Sequence, residues 1–279
     1  MNGTLSQLVT LTSAANGVIA GRTGADSIYP SNADFKFCNS VRFIDIQKPF
    51  LGKPQEIERH KDPNEWLRSL KPGRATRAWL TYQSGRQSMA LDHQWAGFVG
   101  GGGTWQLHVA VPDRTEIWLP RWEVTRRDDP DTRIWSVTYG CVARVPGKPS
   151  IPEPRLDLMA SRLAAALNAI HEFASSHDLG FWAGRFQQAI DCLDPSLPPV
   201  FPDYIQFVCL DSYPETAQRL LAAAYAGWVF GGMGSWNDLG FDADAENDRY
   251  NRLSAELYSA VTDSIQQATW SFGKDALKG

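Results

Sequence analysis

The chain has 279 residues, of which 43% are hydrophobic and 21% charged, with a formal net charge of −4. That length holds one large domain or two intimate ones, and the hydrophobic share supports a sizeable core. The acidic balance argues against a general affinity for nucleic acid, which needs a basic footprint, and no apolar run reaches the length of a membrane span.

The first twenty residues lack the basic start and the long apolar core of a signal peptide. The four cysteines, Cys38, Cys141, Cys192 and Cys209, form no CxxC pair, and three sit in apolar surroundings. They read as small buried hydrophobes in a reducing compartment, so the expected location is the cytoplasm. "FKFCNSVRFIDI" and "ATRAWLTY" read as strands. Between them lies a long loop with a short helix expected from Pro63 to Leu70.

"GFVGGGGTW", from Gly97 to Trp105, is the first glycine cluster. A phosphate-binding loop needs a helix and a Lys-Ser/Thr pair after it, and here a strand follows. The cluster reads as a hairpin turn or a place where another segment crosses closely, and such close approach also builds a pocket floor. Gly101 and Gly102 are therefore ligand-binding candidates. His93 and His108 are the candidate general bases, because the chain brings both near Gly100 to Gly103.

In "TWQLHVAV" the residues Trp105, Leu107, Val109 and Val111 alternate with Thr104, Gln106, His108 and Ala110, the period of a half-buried strand. "EIWLPRWEV" and "RIWSVTYGCVARV" repeat the pattern, and polar turns join the three into an antiparallel meander. Arg121, Arg126, Arg127 and Arg133 lie around one hairpin with Trp118, Trp122 and Trp135. Asp128, Asp129 and Asp131 in the same turn make a salt-bridged surface the plain reading.

"VPGKPSIPEP", with four prolines, ends the period-two region. Beyond it the period is helical: "PRLDLMASRLAAALNAIHEFASSH", "GFWAGRFQQAIDCL", a helix after "SYPE" with Ser212 and Glu215 as a capping box, and a last helix striped by Tyr250, Leu253, Leu257, Val261 and Ile265. "YIQFVCLDS" reads as a short strand. The fold class is α+β, a mostly antiparallel sheet in the N-terminal half (1–147) covered by helices from the C-terminal half (153–272), packed as one unit.

The second glycine cluster, "FGGMGSWND", places Trp236, Asn237 and Asp238 after a bent backbone. An aromatic face, an amide and a carboxylate form a set suited to orienting a polar ligand, and Asp238 joins His93 and His108 as a catalytic candidate. Asp242, Asp244, Glu246 and Asp248 follow at the start of the last helix, where capping and the helix dipole favour acids. The competing reading is a divalent-cation site built on Asp242, Asp244 and Glu246. The EF-hand spacing fails, with Asn247 where glycine is needed and Leu253 where glutamate is needed.

No signature of catalysis stands out, and eleven tryptophans are many for this length. The leading expectation is a cytosolic binding or accessory protein that acts through a tryptophan-rich surface or pocket on a protein partner or small molecule, with no cofactor. The alternatives are a metal-dependent hydrolase or nuclease using the acids at 238–248, and a small-molecule enzyme with His93 or His108 as base.

Overall fold

The computed structural model describes residues 3–47, 53–85, 89–97, 101–201 and 206–273. The alternating segments form β1 (Cys38–Gln47), β3 (Arg77–Gln83), β4 (Thr104–Val111), β5 (Arg114–Val124) and β6 (Trp135–Pro146), with β2 (Gln55–His60) between the first two. They make one sheet in the order β2-β1-β6-β5-β4-β3. The meander β4-β5-β6 is antiparallel, and β1 joins β6 in parallel. β2 falls where a loop is expected; Gln55 to Glu58 are all exposed on this edge, so no alternation marks it.

Helices α4 (Leu156–Ser176), α5 (Gly180–Leu193), α6 (Glu215–Ala226) and α7 (Asp244–Trp270) come from the second half. They pack against the sheet in an α+β fold, with α7 lying on β3. The short helix α2 (Pro63–Ser69) starts behind an Asp62 cap that accepts from Glu65 N, and Pro63 fits its first turn. No helix among the described residues is long and apolar enough to cross a membrane.

Two expectations of local structure are corrected. Tyr204 and Ile205 lie outside the described residues, and the rest of "YIQFVCLDS" is a bend followed by a 3-10 turn. Cys209 there has φ 54° and ψ 40°, which a strand does not accommodate. The capping box at Ser212 is absent: α6 starts after Pro214 with no side-chain cap, and Glu215 is bound by Arg219 at 2.7 Å.

The N-terminal segment is a helix, α1 (Gly3–Ile19), buried on almost every side. Its polar residues are spent inside. Gln7 Oε1 accepts from the Tyr139 hydroxyl at 2.7 Å, and Ser13 pairs with the Tyr213 hydroxyl at 2.6 Å. Asn16 accepts from Ala78 N and donates to Ala78 O, both at 2.8 Å. That last pair begins the closure of edge strand β3. Leu80 N donates to Thr269 Oγ1, Trp270 Nε1 donates to Leu80 O at 2.7 Å, and Tyr82 N donates to Gln266 Oε1 at 2.8 Å. Side chains of α1 and α7 thus fill the hydrogen-bonding edge that a seventh strand would use, and they fix where Tyr82 stands.

Much of the tryptophan excess is core. Trp66, Trp79, Trp105, Trp118, Trp228 and Trp236 are buried. Phe43 stacks between Trp66 (4.7 Å between centroids) and Tyr139 (5.0 Å) on the inner sheet face. One hydrophobic cluster runs from α1 through the sheet to α4–α7.

Candidate functional site

The two glycine clusters of the sequence meet. A side chain at Gly97 would collide with the backbone carbonyl of Gly231, so two chain segments remote in sequence pass in direct backbone contact there. Residues 98–100 lie outside the described residues. Beyond them, Gly101 and Gly102 lie over the helix α3 (Met89–Trp95) and the residue that follows it, while Gly103 lies against Tyr82 and Gln83 at the end of β3. Gly102 has φ +74°, and a Cβ on it would come within 2.6 Å of Ala96 Cα. Only glycine fits that dihedral and that clearance together.

The glycine loop is held from below by a cluster of polar groups. Tyr258 on α7 donates its hydroxyl to Gly102 O at 2.9 Å. The Tyr82 hydroxyl lies against Gly102 O and is 2.6 Å from Asp92 Oδ2. The Asp92 carboxylate also accepts from Gly85 N at 3.1 Å. Burial pushes the Tyr258 phenol up to about 12, and burial, the Tyr258 neighbour and the bond to Asp92 raise Tyr82 far beyond the usual phenol range. Both phenols are neutral at physiological pH and act as struts.

Beside this loop, at the end of the inner sheet face, is a cavity of about 500 Å³. Its walls are the indoles of Trp105, Trp122 and Trp135, the backbone of Gly101 to Gly103, the first turn of α1 at Gly3 and Thr4, and Arg121. Alternation along β5 and β6 turns Trp122 and Trp135 inward at one end of the sheet, where their rings meet edge to face at 5.8 Å. Its size lies in the range of small-molecule sites. Gly101 and Gly102 line it, as does Trp122.

The other sequence candidates are placed elsewhere. His108 is on the opposite face of the sheet, stacked on Trp79 at 5.2 Å with its Nε2 bonded to Thr81 Oγ1 at 2.8 Å. Burial lowers its pKa to about 4. His93 is buried in α3 with its ring edge-on to Phe230 at 6.0 Å. Trp236 is fully buried, donates Nε1 to Ser254 Oγ at 2.8 Å, and offers no face to a cavity. Asn237 donates to His93 O at 2.8 Å. Asp238 is exposed, and its carboxylate accepts from Gly234 N within its own turn.

Asp242 and Asp244 point into solvent, and Glu246 Oε2 lies 3.0 Å from His177 Nε2. The expected capping by an acid is not found. Ala243 is the N-cap and supplies no side-chain bond, while Asn247 reaches back to Phe241 N and O. Among the described residues no group of three His, Cys, Asp or Glu side chains is placed to hold a metal ion.

Sequence reasoning passed over Tyr82, Asp92 and Tyr258. The glycines next to them were the available signal, since a backbone packed that closely needs partners for its carbonyls. No family model, curated protein or solved structure matches the chain.

Proposed function

We propose that this is a cytoplasmic binding protein that takes a small ligand into the cavity walled by Trp105, Trp122, Trp135 and the glycine loop. The observation that carries the reading is the cavity itself, where three indoles and a backbone stripped of side chains meet in one concavity of about 500 Å³. Aromatic walls supply most of the apolar contact a ligand needs, and glycines let the ligand approach the main chain. The glycine loop is fixed before any ligand arrives, by Tyr258 and by the Tyr82–Asp92 pair, which lowers the ordering cost of binding. The cysteines are unbridged, which supports a reducing compartment.

A fragment screen read by thermal shift tests the reading. Ligands that raise the melting temperature should lose their effect in Trp122→Ala and in Trp135→Ala. Hits that stabilise both variants as they stabilise the parent would place binding elsewhere and end the proposal.

A further inference from the structure

The two edges of the sheet are finished differently. Edge β3 is filled by side chains from α1 and α7. Edge β2 ends the strand order with β1 as its neighbour, and Gln55, Glu56, Ile57 and Glu58 on it are all exposed. Such an edge turns N–H and C=O groups outward, and these are the groups to which an added strand bonds. The straight part ends at Arg59, an extra residue opposite the step from Phe43 to Ile44, whose guanidinium reaches Glu116 at 3.0 Å.

The side chains of β2 select the strand that fits. Glu56 and Glu58 register with Ile46 and Ile44 on the outer face of the sheet, and Ile57 registers with Asp45 on the other face. A second copy of β2 fits badly. Two copies joined antiparallel about a two-fold axis must set residues of like facing opposite each other, so the pairing centres on a residue. Centred on Glu56 or on Glu58, that glutamate meets itself. Centred on Ile57, Glu56 meets Glu58 twice. Like charges directly opposite destabilise a sheet, and opposite charges stabilise it. On this face the carboxylates of Glu56, Glu58 and Glu123 stand against the guanidiniums of Arg42 and Arg121, so the balance is acidic. Lys53 and Lys61 lie beyond the two ends of the strand. We infer that the β2 edge takes up an extended segment of a partner protein by strand addition. That segment sets Lys or Arg opposite Glu56 and Glu58, with an apolar residue between them against Ile57. A basic–apolar–basic pattern reads the same in both directions, so a parallel and an antiparallel partner present it equally. The edge works independently of any ligand in the cavity.

Fluorescence anisotropy with a labelled peptide Thr-Thr-Lys-Val-Lys-Thr-Thr and its counterpart Thr-Thr-Glu-Val-Glu-Thr-Thr tests this. The lysine peptide should bind the parent about tenfold more tightly than the glutamate peptide, and Glu58→Lys, a change at an exposed position, should lose that preference. The lysine peptide N-methylated along its backbone keeps its charges and should not bind. Amide hydrogen exchange at residues 55–58 should slow with the unmethylated lysine peptide. Failure of that peptide to bind, equal binding of the two peptides, a preference retained in Glu58→Lys, or binding that survives N-methylation would overturn the proposal. Exchange protection at 55–58 that rises with protein concentration alone would give the edge to a second copy and overturn it as well.

Discussion

Asn237 donates its side-chain amide to the main-chain carbonyl of His93 across 2.8 Å, joining the loop after one glycine cluster to the helix beside the other. Sequence separates these residues widely, and the bond runs beside the contact between Gly97 and Gly231. The amide oxygen of Asn237 is buried with no hydrogen-bond partner among the described residues. Asn237→Ala therefore loses one bond and also sheds one orphaned acceptor. The expected cost is about 1 kcal/mol, at the low end for a buried side-chain bond. Asn237→Asp should cost more, since a carboxylate repels the His93 carbonyl. Urea unfolding of the two variants checks the order, and an aspartate milder than the alanine would refute it.

Gly97 and Gly231 respond differently to the same methyl group. At Gly97 a Cβ would overlap the Gly231 main chain, which has no flexible end to move. At Gly231 it would meet Ser235 Cβ at 3.4 Å, an ordinary contact. Gly97→Ala should cost roughly 1–3 kcal/mol or more through overpacking, and Gly231→Ala well under that. Equal melting temperatures for the two variants would show that the loops do not touch as described.

The strands and helices were largely legible, because alternation and a 3.6-residue stripe survive wherever an element has one buried face. Hence the meander through Trp105, Trp118 and Val137 and the stripe of α7 stand where the sequence puts them. Elements with two like faces gave no such signal. α1 is buried on almost every side, with Gln7, Ser13 and Asn16 inside, so it shows no stripe. β2 is exposed on both faces at residues 55–58 and shows no alternation. The glycines were visible, but their partners were not: Tyr82, Asp92 and Tyr258 come from three elements and only the fold assembles them.

His108 gives the protein a definite pH response. Its folded pKa is depressed to about 4 by burial, against 6.5 for a free imidazole. The folded state prefers the neutral ring, so the stability tied to this residue is complete above pH 6.5. It falls as pH drops towards 4, because the unfolded chain takes up the proton first. His60, also lowered by burial, adds in the same direction. His108→Gln keeps a partner for Thr81 and removes this part of the slope. Melting curves from pH 7 to pH 4 should show the parent losing more stability than the variant, and parallel profiles would refute the assignment.

The start of α7 separates two accounts of its acids. Asp242 and Asp244 are exposed and make no capping bond, and the helix opens at Ala243. The work of closing that end is done by Asn247, which accepts from Phe241 N at 3.0 Å and donates to Phe241 O, folding the preceding segment back onto the first turn. Phe241 in turn packs against Phe173 at 5.2 Å and His177 at 5.1 Å, so the reach-back also seats an aromatic ring on α4. Asn247→Ala should cost about 1 kcal/mol, the scale of a lost terminal bond. Asp242→Ala and Asp244→Ala should each stay within about 0.5 kcal/mol of the parent, as exposed charges near a helix start do. Were a divalent cation bound here, the pattern would invert: Mg²⁺, Mn²⁺ or Ca²⁺ would raise the melting temperature of the parent and of Asn247→Ala, and would lose that effect in Asp242→Ala and Asp244→Ala. Melting the four proteins with and without each ion decides between the two patterns.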